Sequence, residues 1–219
     1  MRPLIVRRIM AAITRSSFMV PGEGRTLPLA HSVLSHQQGQ GCMVDSDDLR
    51  YPIGRFSAPA SSMAGIRLAN IQTLRVLPRR LNEAVSGLGD HQLDTPYRDE
   101  GWTVRQVVHH LADSHANAYI RFKLSLTEEW PTIKPYDEAA WAELADSRWL
   151  PIEGSLQFIE ALHGRWVALL ESLTDEDFHR GYNHPDSGHV NLARALSLYD
   201  WHSRHHLAHI TSLRSRQGW

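Results

Sequence analysis

The chain has 219 residues, 42% of them hydrophobic, and a formal net charge of −1 with histidine neutral. That length favours one domain with ample core material, the balanced charge removes the electrostatic case for nucleic acid or an anionic membrane surface, and no apolar run approaches the roughly 18 residues of a transmembrane helix. A single cysteine, Cys42, excludes an intrachain disulfide and any cysteine-based zinc knuckle, so the count that stands out is 14 histidines.

No acidic residue precedes Glu23, while Arg2, Arg7, Arg8 and Arg15 are basic. Arg7 and Arg8 break any apolar segment of a signal peptide, and no small-residue cleavage site follows. Residues 1–49 therefore read as a disordered extension or as the product of a misassigned start, with Met43 as the alternative first residue. Residues 50–219 are expected to form one domain. Ile66, Leu68, Ile71, Leu74, Leu77, Leu81 and Val85 recur at mostly three- and four-residue steps, which predicts a helix with one buried face. Pro78 should kink or interrupt it, and Gly87 and Gly89 end it. Thr103 and Gln106 fit a capping box that opens a second helix. Its apolar stripe is Val104, Val107, Val108, Leu111, Ala118, Phe122 and Leu126. PYDEAAWAEL (135–144) suits a short helix. A third long helix over 155–173 places Leu156, Ile159, Leu162, Trp166, Leu169 and Leu173 on one side. Asn191 is a good N-cap for the fourth, and Gly218 a good C-terminal cap.

No segment alternates with period two over strand length, and no Asn-Gly or Asp-Gly pair marks a hairpin. The pattern predicts an all-α four-helix bundle, with the long 127–150 connection crossing over or covering one end. Trp102, Trp141, Trp166 and Trp201 read as packing anchors.

The last helix carries YDWHSRHHLAHI (199–210), with four histidines in eight positions. Residues four apart on a helix stand one turn above each other. Two imidazoles at that spacing can share one metal ion. Two pairs qualify, His202/His206 and His205/His209. Leu192, Ala195, Tyr199, His202, His206, His209 and Leu213 follow alternating steps of three and four, a heptad seam that turns His202 and His206 inward and leaves His205 off it. His209, on the seam, suits a core position or a partner to a ligand. A third ligand is available on the second helix, in WTVRQVVHHLADSH, from His109, His110 or His115. Periodicity does not choose among them. His115 reads first as a hydrogen-bonded core histidine and His109 as part of a solvated face. His163, His179, His184 and His189 show no pairing pattern and read as surface or loop residues.

The segments TPYRDEGWTVRQVVHHLADSH (95–115), AYIRFKLSLTEE (118–129) and YDWHSRHHLAHI (199–210) are long and specific. Through them the chain, from residue 50 to 219, resembles the YfiT-like branch of the DinB superfamily. The resemblance implies a four-helix bundle whose metal is held by the histidine directly before Leu-Ala in the second helix and by an HxxxH pair in the last. In this sequence those positions are His110, His202 and His206. It does not extend to residues 1–49. It also implies an enzyme: members of the branch are catalogued as metal-dependent hydrolases, and relatives transfer low-molecular-weight thiols such as bacillithiol or mycothiol.

Three neutral imidazoles leave a divalent ion its full charge and an open position, which suits activation of a water or a thiol. All-nitrogen ligation fits one zinc or nickel ion per chain, with iron or copper as alternatives. Asn117 and Arg121, on the same line as His110, are expected to line the pocket; Arg121 would hold an anionic group or pair with a bundle carboxylate. Asp113 and Asp200 are expected acceptors for an imidazole N–H, or else solvated helix residues. No general base stands out. The expected partners are a small-molecule substrate and a thiol cosubstrate, and a homodimer through one flat face is compatible with a bundle of this size. With no membrane span or targeting peptide, the expected location is the cytoplasm. The competing reading is a non-catalytic metal-binding or stress-related bundle.

Overall fold

The computed structural model describes residues 46–59 and 64–219; the readings of residues 1–45 lie outside these. A short helix α1 (Ser46–Arg50) spans the expected boundary at residue 50. The bundle is built from α2 (Ala64–Val85), α4 (Val104–Thr127), α7 (Glu153–Glu171) and α8 (Leu192–Gln217). Three short helices, α3 (Asp90–Leu93), α5 (Glu138–Ala142) and α6 (Ala145–Trp149), lie in the connections. No described helix is long and apolar enough to cross a membrane.

The local signals act where expected. Thr103 Oγ1 accepts from the Gln106 amide at 3.2 Å, and Gln106 Oε1 accepts from the Thr103 amide at 3.0 Å. Asn191 Oδ1 accepts from the Arg194 amide at 2.8 Å and opens α8. Gly218, at φ 71°, closes it in the left-handed conformation that lacks a penalty only for glycine. Pro78 does not end α2, which runs through it. Leu68, expected on the buried face, is 67% exposed, because the true inward stripe begins at Asn70 and Ile71.

Two apolar cores fill the bundle. One contains Ile71, Leu74, Phe122, Trp166, Leu170, Phe178, Leu192 and Leu196. The other contains Leu81, Val104, Leu111, Leu156, Ile159, Ile210 and Leu213. Helices α2 and α8 run from the first core to the second, whereas α4 and α7 run from the second to the first. Each of α2 and α4 packs against both α7 and α8, so α2 and α4 stand diagonally opposite. Helices α4 and α7 are thus adjacent and parallel, which demands the long crossover over residues 128–152. His115, His163 and His202 occupy the layer between the two cores on their helices.

The absence of strands is corrected by a hairpin. β1 (Gly181–His184) pairs antiparallel with β2 (Gly188–Asn191). Four-residue strands are too short to show alternation, and the Pro185-Asp186-Ser187 turn is not an Asn-Gly or Asp-Gly signal. The hairpin drives Tyr182 and Val190 into the first core and ends on the Asn191 cap. A Cβ at Gly181 would lie 2.2 Å from the Val190 carbonyl oxygen and 2.8 Å from Trp130. Gly181→Ala is therefore expected to lower stability by about 1–3 kcal/mol, read as a fall in the thermal midpoint; an unchanged midpoint would show that the hairpin yields freely.

Candidate metal centre

Helix α8 sets His202 and His206 one turn apart on its inner face, and α4 brings His110 across to them. The ligand nitrogens of His110, His202 and His206 lie within 4.8 Å of one another. His110 Nε2 and His202 Nε2 are 3.2 Å apart. Burial pushes the His110 pKa down to about 3, with the charge of His205 a lesser cause. Burial, then the neighbouring histidines, also lowers His202 and His206 well below the usual range. These are neutral rings with lone pairs crowded round one point, an arrangement that a shared cation relieves. The donor set therefore fits a divalent metal ion.

A cavity of about 170 Å³ opens over this cluster. Trp102 roofs it, its ring 4.6 Å from that of His110. The turn that delivers Trp102 holds Glu100 at φ 57°, an uncommon conformation for a residue with a side chain. Tyr51, Phe56, Tyr97 and Trp201 line the walls, and Arg50, Arg55 and Arg98 are among the lining residues. Segment 50–56 closes over α8: Trp201 Nε1 donates to the Gly54 carbonyl at 3.1 Å. That cover explains His205. It lies off the heptad seam yet is buried, stacked on Trp201 with ring centroids 4.4 Å apart. His205, His206 and His209 form a second convergent group sharing His206.

His209 is buried beside His206. Its Nε2 lies 3.1 Å from the Arg50 carbonyl oxygen, which can only accept, so Nε2 carries the proton. Its Nδ1 is then an acceptor and faces His206 Nδ1 at 3.4 Å, the long end of a hydrogen bond. His206 is left presenting Nε2. Tyr97 holds the His209 ring by stacking at 3.9 Å.

Other expectations are corrected. Asn117 does not line the cavity; its amide donates to the Asp113 carbonyl at 2.9 Å, within its own helix. Arg121 is buried outside the cavity lining, where its charge opposes the burial effect on Glu138 and on Tyr182. Asp200 pairs with Arg204 at 2.6 Å rather than with an imidazole. Asp113 has a pKa raised to about 6 by burial and then by the charge of Asp146. His109 is buried, between Ser155 Oγ at 2.8 Å and the Leu150 carbonyl at 3.2 Å. His163 and His184 are buried too, whereas His179 and His189 are exposed as expected. Trp166 is fully buried, but Trp141 is 38% exposed and leans on Tyr136.

Glu138 was not visible as a functional residue. It opens α5 and lines the cavity, and burial raises its pKa to about 7. An ordinary helix-start glutamate carries no sequence mark of this, because the crossover alone brings α5 to the cavity.

A helical bundle with a histidine cluster at the floor of an open cavity is the architecture of a metal-binding domain of the bundle type. Residues 73–210 match the model of the DinB superfamily. The chain belongs to that superfamily, in its YfiT-like branch. It is 57% identical over 175 residues to the Bacillus subtilis (strain 168) protein named "Putative metal-dependent hydrolase YfiT", covering 80% of this chain and 98% of that one. A Bacillus cereus (strain AH820) protein of the same hydrolase name is 57% identical over 173 residues, covering 79% of this chain and 99% of that one. The solved structure of YfiT from Bacillus subtilis superposes with a TM-score of 0.77, covering 78% of this chain and 99% of that one. That structure is described as having "an unusual four-helix bundle topology".

Proposed function

We propose that His110, His202 and His206 hold one divalent metal ion and that the chain is a metal-dependent hydrolase. The observation that carries this is the convergence of three neutral imidazoles at the floor of an open cavity. Relatives matched over nearly their whole length and bearing the hydrolase name support it. A zinc or nickel ion held there supplies Lewis-acid chemistry that activates a water or a thiol as nucleophile. The ring nitrogens remain neutral and available near pH 7 because burial holds them so. Trp102 and the aromatic wall exclude bulk water and take the apolar part of a small-molecule substrate. Glu138, with a pKa near 7, accepts the proton that the nucleophile gives up.

Transfer of a low-molecular-weight thiol is a second reading, favoured by one observation. Arg50 and Arg98 line the cavity and suit an anionic thiol cosubstrate, the role expected of Arg121. In this reading the transferred thiol is the cosubstrate's own. A cytoplasmic homodimer whose metal-binding unit spans residues 50–219 completes the reading.

The test reconstitutes metal-free chain with zinc or nickel and assays ester and amide hydrolysis beside conjugation of a thiol to an electrophile. Metal-dependent hydrolysis supports the first reading, conjugation alone the second. Metal binding with neither activity would favour a non-catalytic bundle. Wild-type rate should rise with pH through about 7 as Glu138 ionises. Glu138→Gln is expected to flatten that rise and lose roughly 10²-fold in rate. An unaltered pH profile would remove Glu138 from the chemistry.

A further inference from the structure

We propose that Pro78, through a buried relay of His163 and His115, fixes His202 in the tautomer that presents Nε2 to the metal centre. The inference rests on His202 being a ligand, and it adds residues from the other three bundle helices that no ligand pattern contains.

The relay starts at a gap in α2. In an α-helix the Leu74 carbonyl would accept from the amide four residues on. That residue is Pro78, which has no N–H. The vacant carbonyl is met instead by His163 Nδ1 from α7, at 2.6 Å. A carbonyl oxygen can only accept, so His163 Nδ1 carries the hydrogen. A neutral imidazole has one hydrogen, which leaves His163 Nε2 as an acceptor. It lies 2.9 Å from His115 Nδ1 on α4, which therefore donates. His115 Nε2 is then bare and lies 3.2 Å from His202 Nδ1 on α8, which donates in turn. The last ring is left with a lone pair on Nε2, the atom that faces His110 Nε2. Each step admits one direction once the carbonyl has set the first.

The surroundings keep the relay intact. His115 is fully buried and His163 is 1% exposed. Burial lowers His163 to about 4, so it stays neutral near pH 7. The rings of His115 and His163 stack at 5.0 Å, and Trp166 packs edge-on against both. Tyr199 sets its edge against His115. The two apolar cores seal the layer above and below. His115 and His163 are positioning residues, acting on the ligand and not on the substrate.

The test uses full-length chain with ¹⁵N-labelled histidine, metal-free and then titrated with zinc. Long-range proton–nitrogen correlation reads which ring nitrogen carries hydrogen. The expected result is an Nδ1–H tautomer at His163, His115 and His202 before metal is added. Free neutral histidine favours the opposite form, so the pattern is diagnostic. Zinc affinity is expected to fall about 10–100-fold in His115→Phe. Pro78→Ala guards against a variant that fails to fold, since alanine is the better helix former. It returns an amide to the Leu74 carbonyl, and is expected to shift His163 and His202 toward Nε2–H and to weaken zinc severalfold. An Nε2–H tautomer at His202 in wild type, or unchanged tautomers and affinity in Pro78→Ala, would overturn the relay. The Nδ1–H pattern in a chain that binds no zinc would leave the relay standing and overturn the metal reading.

Discussion

Replacing His202 with alanine is expected to abolish metal binding, and this is the largest functional effect the site predicts. Elemental analysis of tag-free wild-type chain should find about one zinc or nickel per chain, and His202→Ala almost none. His202 touches the other two members on both sides, with ring centroids 5.3 Å from His110 and 4.4 Å from His206. Removing it leaves two imidazoles, too few for the three-ligand catalytic sites that bundles and barrels share. Activity should fall by at least roughly 10²-fold with it. His205→Ala separates the two overlapping groups: it should leave the metal content near one, because His205 belongs only to the second. Loss of metal in His205→Ala with metal retained in His202→Ala would place the ion among His205, His206 and His209 instead.

Metal-free chain should unfold steeply in mild acid. Burial lowers His110 and His209 to about 3, and His163 and His205 to about 4, against an ordinary value of 6.5. The unfolded chain takes up protons at these sites as pH falls through 6.5, whereas the folded chain does not until about pH 4 or below. The unfolded state therefore binds more protons in that window, and stability falls as pH falls. The slope is about 1.4 kcal/mol per pH unit for each such histidine. Four of them consume a total of roughly 5–15 kcal/mol within about two pH units. Far-ultraviolet circular dichroism should show loss of helix near pH 5. A chain that keeps its helical signal to about pH 4 would show that the histidine layer admits protons without unfolding. Bound metal should move the transition to lower pH, since protons must first displace it.

The heptad seam in α8 was legible because a helix repeats its inner face every seven residues, and His202 and His206 fall on it. The choice of a second-helix histidine was not legible from periodicity: His109, His110 and His115 are all buried, so burial alone does not rank them. Resemblance to the family selected His110. His205 shows the limit of a seam argument, since segment 50–56 buries a residue that its own helix turns aside. Asp200 was a reasonable acceptor by composition, but Arg204 four residues on satisfies it locally. The Nδ1 atoms of His202 and His206 face His115 and His209 instead, and imidazole–imidazole pairing leaves no carboxylate signature to search for.

Periodicity, caps and turn residues by themselves determined that four long helices form, where three of them start or stop, and that His202, His206 and His209 share one seam of the last helix. These are local matters, settled by side-chain spacing and by the nearest backbone groups. Only the tertiary structure decided that α2 and α4 stand diagonally, that α5 brings Glu138 to the cavity, and that His163 reaches the carbonyl that Pro78 leaves vacant. Those pairings join residues as far as 89 positions apart in the chain, and which of many apolar faces meet is set by how the whole core fills space, not by any single segment.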